Sequence, residues 1–83
     1  MNQTSIQITV SNKETSETIG TFVIKHMDYR GSAYDMNEKF LGSFDTDEPE
    51  HQVIVDFAWK VALDVFAKGK DKSEIEVYFH EEI

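Results

Sequence analysis

Eighty-three residues without a cysteine make one domain, residues 1–83, and exclude a disulfide framework, a thiol nucleophile and a cysteine-type zinc site. Sixteen acidic against eight basic residues give a net charge of −8. That balance argues against direct binding to nucleic acid or to an anionic membrane surface, because both depend on clustered Lys and Arg. No apolar run reaches membrane-span length, and the start MNQTSIQITV lacks the basic and hydrophobic parts of a secretory leader, so a soluble, cytoplasmic protein is expected.

Residues 4–11, TSIQITVS, alternate strictly. Ile6, Ile8 and Val10 fall on one side and polar residues on the other, the pattern of a half-buried strand. The polar stretch 12–17 reads as a turn, and residues 18–27 as a second strand with Phe22 and Ile24 in the core. Gly20 within it suggests a bulge. Residues 28–38 obey no clean period; a turn at 29–32 and a loop are expected, followed by a short strand at 38–44. A single strand through Tyr34, Met36, Phe40 and Phe44 is the alternative.

Residues 47–69, DEPEHQVIVDFAWKVALDVFAKG, read as the one long helix. Asp47 with Glu50 makes a candidate capping box, Pro49 fits a first turn, and Lys68-Gly69 supplies a stop. Gln52, Asp56, Lys60, Asp64 and Lys68 recur every fourth residue as a solvated stripe. A helical wheel places Ile54, Ala58, Val61, Ala62 and Val65 against a sheet, flanked by Val55, Trp59 and Phe66. It leaves Val53, Phe57 and Leu63 beside the polar stripe, either covered by loops or available for a dimer contact.

Residues 73–80, SEIEVYFH, alternate again, with Ile75, Val77 and Phe79 inward and 81–83 as a tail. The expected fold is α+β: a two-layer sandwich of β-β-β-α-β order, one long helix packed on a mainly antiparallel sheet of about four strands. The last strand, arriving after a helical crossover, is expected to run parallel to a neighbour such as the first.

None of the patterns specifies a chemistry. His26, His51 and His80 lack the HxH or HExxH spacing of a zinc site, and His26 and His80 approach only if their strands are neighbours. Serines 5, 11, 16, 32, 43 and 73 have no nucleophile-elbow context. There is no phosphate-cradling glycine loop and no calcium-loop pattern, so no enzyme, metal or cofactor is expected. Tyr29-Arg30 and Lys39-Phe40 are too isolated for a single-strand nucleic-acid platform.

The acids remain. The reading is a non-enzymatic binding or inhibitor protein whose acidic face occupies a basic protein partner, such as a nuclease or another nucleic-acid-binding protein, by imitating a phosphate backbone. Phage anti-defence and toxin immunity proteins are alike in size and acidity, an analogy of class without residue correspondence. The candidate residues are Asp28, Asp35, Glu38, Asp45, Asp47 and Glu48, with Glu74 and Glu76 in support if the last strand lies near the 45–50 segment. Tyr29, Tyr34 and Tyr78 are the candidate aromatic anchors. The alternative is a structural or adaptor module that forms a homodimer through Trp59, Phe57 or Leu63, or by pairing of a sheet edge.

Overall fold

The computed structural model describes residues 3–81. Strands β1 (Thr4–Asn12), β2 (Thr18–His26), β3 (Arg30–Asp35), β4 (Phe40–Asp45) and β5 (Ile75–Glu81) form one sheet in the order β4-β3-β2-β1-β5. Every neighbouring pair is antiparallel. Helix α1 (His51–Val61) connects β4 to β5, continues into a π turn at Ala62–Phe66, and covers one face. The fold is α+β, with five strands rather than about four and with four of them preceding the helix.

The unforeseen strand is β3. Its helix-facing positions are Gly31 and Ala33, so no large apolar residue marks an alternation. Gly31 has no room for a side chain: a β carbon there would lie 2.6 Å from Cε2 of Phe44 and 2.8 Å from Cβ of His26. The single-strand alternative fails as well, because the chain reverses between Asp35 and Phe40.

One extra strand reverses the direction of everything after it. β4 ends at the end of the sheet where β1 begins, α1 carries the chain back, and β5 returns antiparallel to β1, with Ile8 opposite Phe79 and Val10 opposite Val77. The expected parallel pairing is therefore corrected.

The strand alternation itself holds. Ile6, Ile8, Val10, Phe22 and Ile24 are buried; side chains of this size contribute about 1.5–3 kcal/mol each on burial. The register of β1 against β2 shifts beside Gly20, where a β carbon would overlap the Phe66 ring. Ile75 is buried and Val77 packs on the core, but Phe79 is 36% exposed, because β5 is an edge strand. Glu81 closes β5 instead of starting a tail, and residues 82–83 lie outside the described residues.

The helix is shorter than the sequence pattern suggests. It begins at His51 with Glu50 as N-cap, and no side chain caps it, so the Asp47–Glu50 capping box does not form. Pro49 explains this: the residue before a proline is driven out of helical geometry, so Glu48 cannot occupy a first turn begun at Asp47. Thr46 organises the segment instead, its hydroxyl oxygen accepting from the Glu48 N–H at 3.1 Å.

At the other end, the Ala67 N–H donates to the Ala62 carbonyl at 2.8 Å, the wide turn that forms the π segment. This rotates the following residues off the regular wheel. Val65, assigned to the core by the wheel, is 38% exposed, whereas Phe66 stacks on Phe22 with centroids 5.3 Å apart. Phe57, placed near the polar stripe by the wheel, is buried against Phe44 at 4.9 Å, because the additional strand extends the sheet beneath that flank. The stripe residues Gln52, Asp56, Lys60, Asp64 and Lys68 are all exposed, and Gly69 takes the left-handed conformation beyond the helix at φ 83°.

Candidate partner-binding site

The topology divides the expected acidic surface. The end of the sheet where β1 begins gathers Asp28 and Tyr29 from the β2–β3 turn with Asp45, Asp47 and Glu48 from the β4–α1 connection. A backbone bond joins these segments, the Thr46 N–H donating to the Tyr29 carbonyl at 2.8 Å. Glu50, the helix N-cap, adds a fifth carboxylate. All five acids are exposed, and Tyr29 is 58% exposed beside them. Among the described residues, no hydrogen bond engages these five carboxylates. Arg30 stands opposite Asp45 in the ladder, and Lys25 lines the same pocket as both.

Asp35 and Glu38 lie at the opposite end, in the β3–β4 turn. Asp35 is occupied there: its Oδ1 accepts from the Asn37 N–H at 2.8 Å and the Lys39 N–H at 2.9 Å. Glu38 takes φ 66°, a conformation that costs an L-residue about 1–2 kcal/mol. Both residues have a turn-building explanation.

Glu74 also sits at that far end, opposite Lys13. Its carboxylate closes a capping box, accepting from the Asp71 N–H at 3.0 Å while Asp71 accepts from Ser73. The capping-box pattern assigned to 47–50 thus occurs at 71–74, where no proline intervenes. The Ser73 hydroxyl and backbone N–H hold the Asp71 carboxyl below its usual range.

Glu76 and Tyr78 lie on β5, at the sheet edge farthest from β4. The condition for their joining Asp45, Asp47 and Glu48 is not met. They form a local pair, the Tyr78 hydroxyl donating to the Glu76 carboxylate. This bond, reinforced by the nearby negative charge, raises the Tyr78 pKa.

Tyr34 stands on the sheet face opposite the helix, with the Lys25 ammonium 5.6 Å from its ring centroid and Phe40 packed edge-on at 5.9 Å. Of the tyrosine anchors, only Tyr29 shares the acidic end.

His26 and His80 remain apart, since β1 separates their strands, whereas His26 and His51 line one pocket with Asp28 and Glu50. His26 is half-buried, and its Nε2 has no hydrogen-bond partner among the described residues. No group of three or more His, Asp or Glu side chains among the described residues is arranged to hold a metal ion. No helix among them is long and apolar enough to cross a membrane.

Of the helix residues considered for a dimer contact, Phe57 is buried and Leu63 packs on the core. Trp59 is half-buried, with the Lys72 ammonium 4.8 Å from its ring centroid. Comparison of the chain with family models, curated proteins and solved structures finds no match.

Proposed function

We propose that this chain is a small, non-enzymatic binding protein whose acidic end occupies the basic surface of a protein partner. The observation that carries the reading is the joining of Asp28, Asp45, Asp47, Glu48 and Glu50 on two segments tied by the Thr46–Tyr29 backbone bond, with none of the five carboxylates hydrogen-bonded among the described residues. Carboxylates used as caps elsewhere in the chain have internal work; these are left to attract cations. A patch of one sign steers an oppositely charged partner during encounter and suppresses like-charged competitors. Tyr29 supplies the aromatic contact that such a patch needs for affinity.

A nuclease or other nucleic-acid-binding protein is the partner class with the matching surface, and an inhibitor acting as a phosphate mimic is the role it suggests. The test is capture from lysate on immobilised protein at low and high salt, with and without competing duplex DNA. A basic protein retained at low salt, released by salt and displaced by DNA is the expected result. The triple variant D45K/D47K/E48K should retain the fold and lose that protein. Unchanged capture by the variant overturns the acidic-end reading, whereas salt-sensitive capture that DNA does not displace overturns only the nucleic-acid-mimic part.

A further inference from the structure

We propose that β5 is a self-recognition edge that pairs with β5 of a second copy, joining two five-stranded sheets into one. The inference is independent of the acidic end, which lies across the sheet beside β4.

The ladder phase identifies the open groups. The Lys13 N–H donates to the Glu74 carbonyl at 3.0 Å, and the register continues through Ser11–Glu76, Thr9–Tyr78 and Gln7–His80. Antiparallel ladders alternate bonded and non-bonded pairs. The backbone groups of Glu76, Tyr78 and His80 are therefore turned toward β1. Those of Ile75, Val77 and Phe79 point away from the sheet, where no described strand receives them. Unlike β4, β5 has no irregularity in its pairing.

The side chains favour a copy of the same strand. Tyr78 is the midpoint of Ile75–Glu81, so a twofold axis through it is the antiparallel arrangement that pairs the whole strand. The outward groups of Val77 in one copy then meet those of Phe79 in the other, the bonded positions an added strand requires. On the helix face, Val77 lies opposite Phe79 twice, covering a ring that is 36% exposed in the single chain. On the other face, Glu76 stands opposite His80 of the second copy twice, and Tyr78 faces its own symmetry mate at the close-approach position. An axis shifted to Glu76 would put that carboxylate against itself. An axis at Val77 would set Glu76 against Tyr78 and Glu74 against His80, pairing fewer residues. Both charge and length thus select the Tyr78 axis.

The experiment is the mass of the full chain in solution, by sedimentation equilibrium from micromolar to hundreds of micromolar. A dimer is expected. V77P removes an outward N–H that the β1 ladder does not use, and it should give a folded monomer. Y78K, at a position 47% exposed, should weaken the dimer without touching the core. H80E, which opposes two carboxylates across the axis, should weaken it by about tenfold, and E76K/H80E should restore it. A monomer throughout the concentration range overturns the proposal, as does a dimer unaffected by both V77P and Y78K. Failure of the double variant to restore what H80E loses overturns the register.

Discussion

The two edges of the sheet were built under different rules. At β4, the register shifts next to Ala33, the strand is six residues long, and the Phe44–Phe57 pair ties it to the middle of the helix. Exposed carboxylates then follow at once. At β5, the ladder is regular, the backbone groups of three residues point outward, and Phe79 remains 36% exposed. Irregularity is one of the usual protections of an exposed edge, and β4 has it, whereas β5 carries Glu76 on an unbroken ladder. The comparison teaches that this chain guards the edge next to its acids and leaves the opposite edge open.

The strongest way to break the comparison is to remove what holds the guarded edge. Phe57→Ala deletes the ring packed on Phe44 and should destabilise the domain by about 3–5 kcal/mol in denaturant unfolding. It should also raise hydrogen exchange in β4 ahead of β1. Uniform loss of protection would show that β4 has no separate dependence on the helix.

The charge reversal D45K/D47K/E48K tests the same edge without touching packing. Stability should shift by less than about 1 kcal/mol, since all three side chains are exposed, while capture of a basic partner is lost. A collapse in stability would mean that these acids serve the fold. Glu38→Gly, in the turn that feeds β4, relieves a positive φ and should raise stability by about 1 kcal/mol. No gain would place the cost of that turn elsewhere.

The smallest effects are titrations around the open edge. Tyr78 has a raised pKa in the fold, so its bond to Glu76 contributes below the ordinary tyrosine pKa and is lost as pH rises through the folded value. Asp71 has a lowered pKa, so its capping contribution is present above the ordinary carboxylate pKa and is lost as pH falls through the folded value. Accordingly, Y78F should flatten the alkaline limb of the stability profile, and D71N the acid limb. Melting temperatures across pH for the two variants provide the check.

Much of this arrangement was legible in the residues. β1, β2 and β5 each carry large apolar side chains at a period of two, and the helix interior carries its exposed stripe at a period of four. Those periods belong to the backbone geometry and survive any packing. The candidate site was legible only as composition. Asp28, Asp45, Asp47 and Glu48 are visibly acidic, but Asp35 and Glu74 look the same in sequence and are spent on turns.

The sequence by itself determined the α+β class, the strand faces of β1 and β2, the polar stripe of the helix and the stop at Gly69, because each depends on neighbours a few residues away. Only the tertiary structure decided that Gly31 and Ala33 sit in a strand: the smallness of Gly31 answers to Phe44 and His26 from other segments, and Ala33 is buried opposite Ile24. That strand set the direction of β5, widened the sheet under Phe57, and sent Glu74 and Glu76 to the edge opposite Asp45. Local periodicity fixes which way a side chain points; the number of strands fixes where it ends up, and that number was hidden in two residues too small to show a pattern.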